Sequence, residues 1–96
     1  MILSGGENID PSRVEAAIQA HPGVSEVAIV ALPDREWGQI VAAAYTGSAT
    51  AEELKGHLTD RLPPYAVPKR WLQLEVLPRT ELGKVDTQRL VKMFLP

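Results

Sequence analysis

Val24-Ser25-Glu26-Val27-Ala28-Ile29-Val30-Ala31-Leu32 is rich in valine and isoleucine and reads as a buried strand. Pro33-Asp34 turns the chain and Glu36-Trp37-Gly38 follows. Gln39 to Thr46, with Ile40-Val41-Ala42-Ala43-Ala44-Tyr45 inside it, then gives a second apolar strand. The other elements fall on either side of this pair.

Upstream, Ile2-Leu3 reads as the end of a strand and Ser4-Gly5-Gly6-Glu7-Asn8 as a turn. Two adjacent glycines allow positive φ and leave no Cβ to block a close neighbour. They serve equally as a hairpin turn or as bare backbone against which a ligand passes. Asp10-Pro11 is a helix start, with Asp10 as N-cap and Pro11 at the first helical position. Val14, Ala17 and Ile18 share one face, and His21-Pro22-Gly23 ends the helix, with His21 at the negative end of its dipole. The chain opens mid-strand with nothing before it, as a fragment cut from something longer does; Met1 is compatible with either a native or an introduced start.

Downstream, Thr50-Ala51-Glu52-Glu53 is a capping box, so Glu52 and Glu53 belong to helix initiation and not to a catalytic carboxylate pair. Leu54, Leu58, Arg61 and Leu62 follow at helical spacing, with His57 on the solvated side. Pro63-Pro64-Tyr65-Ala66-Val67-Pro68 is expected to be extended and stiff. From Trp71 to Val76, Leu72, Leu74 and Val76 alternate with Trp71, Gln73 and Glu75, as in a half-exposed strand. Asp86 caps a last helix that buries Leu90, Val91 and Phe94. The order strand, helix, strand, strand, helix, strand, helix defines a small α/β or α+β domain, a short central sheet with helices packed on it.

Composition narrows the function. Ninety-six residues make one domain, and 45% hydrophobic and 23% charged residues are those of an ordinary soluble globular protein. A formal charge of −2 provides no basic footprint for nucleic acid. There is no cysteine, hence no thiolate chemistry, and the setting of His21 and His57 does not suggest a metal site. No apolar run approaches the roughly 18 residues of a membrane span.

One loop stands out. Leu77-Pro78-Arg79-Thr80-Glu81-Leu82-Gly83-Lys84 places a lysine on a proline- and glycine-punctuated segment with the look of a mobile loop. Gly83-Lys84 invites comparison with a phosphate-binding P-loop, but that motif needs glycine at position 78 and Ser/Thr at 85, where this chain has Pro78 and Val85. Trp37, Tyr65, Lys69 and Arg70 complete the candidate set without forming a nucleophile–base pair or a phosphate cradle. On the residues alone, a solvated Lys84 and a Trp37 that caps the core edge are the commoner readings, with a functional role as the sharper alternative for each.

Five ordered segments resemble the C-terminal domain of the adenylate-forming superfamily, which includes acyl- and aryl-CoA synthetases. They are Ser4-Gly5-Gly6-Glu7-Asn8-Ile9 with Pro11 and Val14-Glu15; His21-Pro22-Gly23-Val24 with Val27-Ala28; Pro33-Asp34 with Trp37-Gly38; Tyr65 with Val67-Pro68-Lys69; and Leu77-Pro78-Arg79-Thr80 with Gly83-Lys84. The resemblance covers Ile2 to about Leu90. It implies a swinging domain, residues 1–96, whose hinge and large N-terminal domain lie outside this sequence. It also implies a cytoplasmic enzyme with no membrane span and no protein-held metal centre here. A small carboxylic acid and ATP, with magnesium held mainly by the N-terminal domain, give an acyl-adenylate, and CoA then displaces AMP. By the same resemblance Lys84, supported by Gly83, is the adenylation lysine, and Gly5 and Gly6 line the path of the CoA thiol arm. Trp37 and Tyr65 flank the CoA nucleotide, while Lys69 and Arg70 neutralise its phosphates, with a mere flank of the strand as the alternative for Arg70. Some relatives carry a basic residue where this chain has Val67. The short Gly47–Ala49 connection resembles bacterial o-succinylbenzoate–CoA ligases of menaquinone and phylloquinone biosynthesis. A stand-alone, non-catalytic CoA- or carrier-protein-binding module remains the alternative.

Overall fold

The computed structural model describes residues 1–95. The elements are β1 (Ile2–Ser4), β2 (Glu7–Ile9), α1 (Pro11–Gln19), β3 (Glu26–Asp34), β4 (Gly38–Thr46), α2 (Ala51–Leu58), β5 (Arg70–Gln73) and α3 (Thr87–Phe94), with a short 3-10 turn over Pro64–Ala66.

β4 is the strand on which the sheet is built. Along one edge it pairs antiparallel with β3 through every residue from Glu26↔Thr46 to Asp34↔Gly38. Its other edge is shared. Ser4 of β1 pairs with Gly38 at one end, and Arg70–Gln73 run parallel to Ala42–Tyr45 at the other. The parallel pairing needs a crossover, which α2 supplies. The opening strand takes both its partners, β2 and β4, from downstream.

β4 reads as continuous apolar sequence because both its faces are covered. Val41, Ala43 and Tyr45 join Val14, Ile18, Leu54 and Leu58 under α1 and α2. Ile40, Ala42 and Ala44 join Leu32, Leu90 and Phe94 under α3. The result is helix pair, sheet, helix: the α+β arrangement expected. Its helix starts are also as read. Asp10 accepts the Ser12 N–H, and Thr50 and Glu53 exchange side-chain and backbone hydrogen bonds as a capping box.

Several local expectations are corrected. Ser4–Asn8 is not one turn; only Gly5-Gly6 turn, between two three-residue strands. Pro33-Asp34 ends β3 instead of reversing the chain, because β3 is an edge strand where a residue lacking an N–H is tolerated. The reversal falls at Arg35–Trp37, where Asp34 Oδ2 accepts the N–H groups of Glu36 at 3.0 Å and Trp37 at 2.9 Å. The proline segment is not uniformly extended: Ala66 donates to the Pro63 carbonyl at 2.9 Å and closes the 3-10 turn. The strand expected from Trp71 to Val76 is shorter: β5 ends at Gln73, and Trp71 lies on its core side. It packs with the α1/α2 core, edge-on to Tyr45, while Val76 is 70% exposed. His57 is half-buried, not solvated; its Nε2–H donates to the Ala17 carbonyl at 2.9 Å and its ring meets that of His21, tying α2 to α1.

Candidate functional site

The structure gathers most of the predicted residues at one end of the sheet. Gly5 donates its N–H to the Trp37 carbonyl at 2.9 Å, locking the β1–β2 turn against the β3–β4 turn. The indole of Trp37 lies over Gly5, and the Lys69 Nζ stands 4.4 Å from the indole centroid on the ring face, a cation–π contact. Lys69 is placed there because its own N–H bonds the Val41 carbonyl at 2.9 Å, just ahead of β5. Gly5, Trp37, Lys69 and Tyr65 line an open cleft of about 280 Å³ together with Ser4, Glu7 and Pro64.

Gly6, next in the turn, does not line this cleft. A Cβ there would meet nothing within 4 Å, so its backbone faces open space at φ +87°. Arg70 does not join the cleft at all. Its Nη2 donates to the Phe94 carbonyl at the end of α3 at 3.0 Å, and its guanidinium lies 6.0 Å from the Phe94 ring centroid. It stands at the C-terminal end of a helix, where a cation suits the dipole.

Lys84 sits elsewhere, on a built hairpin and not a slack loop. Arg79 and Val85 form an antiparallel bridge, Thr80 donates to the Lys84 carbonyl at 2.8 Å, Gly83 donates to the Thr80 carbonyl at 2.9 Å, and Asp86 donates to the Pro78 carbonyl at 2.8 Å. Gly83 takes φ +85° to close the turn. The tip is Leu82, 87% exposed, and Lys84 follows it on the return arm. Because the amides of Thr80 and Gly83 are spent inside the hairpin, they form no phosphate cradle. This agrees with the sequence mismatch at Pro78 and Val85.

Among the described residues the only ion pairs are Lys55–Glu52 and Arg79–Glu26, so the ammonium groups of Lys69 and Lys84 have no carboxylate partner. No group of three or more His, Asp or Glu side chains among them is placed to hold a metal, and the residues present do not fit a magnesium seat. No described helix is long and apolar enough to cross a membrane.

The two candidate regions lie at opposite ends of β3. The cleft adjoins Asp34 and Gly38, whereas Arg79 ties the hairpin to Glu26. A nine-residue strand puts roughly 26 Å between those anchor points. Three residues shape these regions in ways the sequence reading did not assign, though it placed Asp34 at a turn and Arg79 in the lysine loop. Asp34 folds the Trp37 turn, and an Asp three residues before a glycine-flanked Trp is a readable signal of that. Arg79 and Glu26 are 53 positions apart in the chain, and nothing local joins them.

The chain belongs to the family of AMP-binding enzyme C-terminal domains, whose model matches residues 13–84. It is 39% identical over 92 residues to the uncharacterized acyl-CoA ligase YhfT of Bacillus subtilis, covering 96% of this chain and 19% of that protein. It is 39% identical over 95 residues to a 2-succinylbenzoate–CoA ligase of Bacillus mycoides, covering 97% of this chain and 20% of that protein. The solved Mycobacterium tuberculosis fatty acyl CoA synthetase superposes with a TM-score of 0.90 at 37% identity, over 98% of this chain and 19% of that one. The chain thus spans about one-fifth of the length of the relatives it matches.

Proposed function

We propose that this chain is the swinging C-terminal domain of a cytoplasmic, ATP-dependent acyl- or aryl-CoA ligase. One observation carries the reading beyond family membership: the lone lysine hairpin and the aromatic–ammonium cleft sit at opposite ends of one rigid sheet. A domain with two such ends serves two consecutive steps by turning, offering one end and then the other to the same centre. The proposed partner is a large N-terminal domain on the same chain, holding the acid, ATP and magnesium.

In the first step Lys84 stands between the acid carboxylate and the α-phosphate. An unpaired ammonium there offsets the repulsion of two anions as negative charge builds at phosphorus, and exclusion of water strengthens it. In the second, the cleft receives CoA. Backbone without Cβ at Gly6 leaves room for the thiol arm, the Trp37 and Tyr65 rings offer flat faces to the nucleotide, and Lys69 offers charge to its phosphates. The thiol then attacks the acyl carbon, AMP leaves, and the thioester remains. For the acid we propose o-succinylbenzoate, within menaquinone or phylloquinone biosynthesis. A relative bearing that name supports it, and a fatty acyl relative is the competing indication.

The test is a pair of half-reactions in the full-length enzyme, with o-succinylbenzoate and a long-chain fatty acid offered in turn. Lys84→Ala is expected to lower ATP–pyrophosphate exchange by on the order of 10²–10³-fold, while thioester formation from preformed acyl-adenylate survives. Equal loss in both would sink the assignment. The cleft is formed wholly by this chain's own residues, which favours the second reading, a non-catalytic module binding CoA or a carrier protein. A reading frame continuous upstream of Met1 for roughly a domain or more decides for the ligase. The 96-residue chain by itself is expected to show no exchange.

A further inference from the structure

Arg79 makes two contacts that no stability argument requires. Its Nη1 donates to the Gly83 carbonyl at 3.1 Å, and its Nη2 donates to the carboxylate of Glu26 at the start of β3. The two side chains are 39% and 46% exposed, so as an ion pair they add little to folding. What they fix is position. The Gly83 carbonyl belongs to the peptide bond that leads into Lys84. The planar fork of one guanidinium therefore ties that peptide to the first residue of the longest strand pairing in the sheet. Without it, the hairpin's remaining hydrogen bonds are all internal or to its own stem at Pro78–Asp86. Leu77 and Val85 pack with the core under α3 and hold that stem, so what the guanidinium adds is the placement of the tip and of the peptide that leads into Lys84.

We infer that Arg79 and Glu26 are positioning residues for adenylation: a strut that sets where Lys84 stands relative to the sheet, and hence to the reacting phosphate. The inference rests on the proposed role of Lys84. Lysine cannot replace Arg79, because an ammonium lacks the fork that spans two acceptors. Glutamine can largely replace Glu26, because an amide oxygen still accepts.

The experiment uses the full-length enzyme with whichever offered acid best supports ATP–pyrophosphate exchange. Four quantities are measured: kcat of adenylation, KM for ATP, thioester formation from preformed acyl-adenylate, and the thermal midpoint. Arg79→Lys and Glu26→Ala are each expected to lower adenylation kcat about tenfold or more, the scale of displacing a reacting group by a fraction of an ångström to one ångström. KM for ATP should stay within about twofold and the thioester step should be unchanged. Glu26→Gln should keep most of the rate. The double variant Arg79→Lys/Glu26→Ala should be no slower than the slower single variant, since one device is removed once. Both side chains are exposed, so the variants are expected to fold.

Single variants that adenylate at the unaltered rate, while Lys84→Ala does not, overturn the strut and leave the ligase reading standing. Equal losses in both half-reactions overturn it as well, since they mark a general structural role. If Lys84→Ala itself leaves adenylation intact, the ligase reading fails and takes the strut with it.

Discussion

A Cβ on Gly5 would stand 2.5 Å from Cε3 of Trp37, while one on Gly6 would meet nothing within 4 Å. The two glycines are adjacent, both have positive φ, and they are bare for different reasons. Gly6→Ala carries only the left-handed backbone penalty, about 1–2 kcal/mol. Gly5→Ala adds a clash with the indole, a further cost of about 1–3 kcal/mol unless Trp37 moves out of the cleft. Urea unfolding is expected to rank Gly5→Ala as the less stable variant, with the Trp37 indole N–H resonance displaced only in that one. Equal stabilities and an unmoved indole would show that Trp37 does not rest on Gly5.

Tyr45 is buried, and its hydroxyl donates to the Ala49 carbonyl at 2.8 Å, joining β4 to the lead-in of α2. Tyr45→Phe leaves that carbonyl without its partner and is expected to cost about 1–3 kcal/mol at neutral pH. Burial, and secondarily the negative charge of Glu53, push the phenol above its ordinary value of 10.0. A group whose folded pKa is raised contributes its full stability below the unfolded value and loses it as pH rises through the folded one. Unfolding free energies measured from pH 8 upward should therefore fall beyond about pH 10 in the unaltered protein. In Tyr45→Phe that part of the decline should be missing.

The fold was legible where the signal was long or chemically specific. Asp10-Pro11 and the Thr50–Glu53 box each name a helix start by their own side-chain hydrogen bonds, and both stand where they were read. The valine-rich run gave β3 and β4 because nine-residue strands leave no other element room. Three-residue strands around Gly5-Gly6 carry too little pattern to separate from a turn, and Pro33 looks like a break unless the strand is known to be an edge. The site was half legible. Motif order brought Gly5, Trp37, Tyr65 and Lys69 forward, and the structure places all four on one cleft. For Arg70 the sequence left two readings, phosphate contact or strand flank, and its side chain points away from Lys69, toward α3. The Arg79–Glu26 tie is tertiary and had no local trace.

The capping box makes a second pH prediction of opposite sign. The Thr50 backbone N–H, and then the Thr50 side chain, stabilise the Glu53 carboxylate and hold it below the usual glutamate range. A depressed folded pKa contributes stability above the unfolded value, near 4.5, that is lost as pH falls through the folded one. Thr50→Ala should cost about 1 kcal/mol at neutral pH and move the NMR titration midpoint of Glu53 upward. An unchanged midpoint would mean that the Thr50 side chain does not help to hold the carboxylate, since the backbone N–H survives the substitution.

Lys69 and Arg70 are adjacent cations with separate duties, and two measurements separate them. Lys69 faces the cleft over Trp37 without a carboxylate partner among the described residues, so under the proposed function its charge meets a CoA phosphate. Lys69→Ala should raise the CoA KM of thioester formation roughly tenfold, the scale of one charge-assisted contact, with little change in thermal midpoint. Arg70 is committed to the Phe94 carbonyl. Arg70→Ala should leave the CoA KM unaltered and remove about 1 kcal/mol, a fall in midpoint of roughly 4–8 °C for a chain of this size. A rise in CoA KM in Arg70→Ala, with the midpoint preserved, would return that arginine to the cleft and contradict its placement at the end of α3.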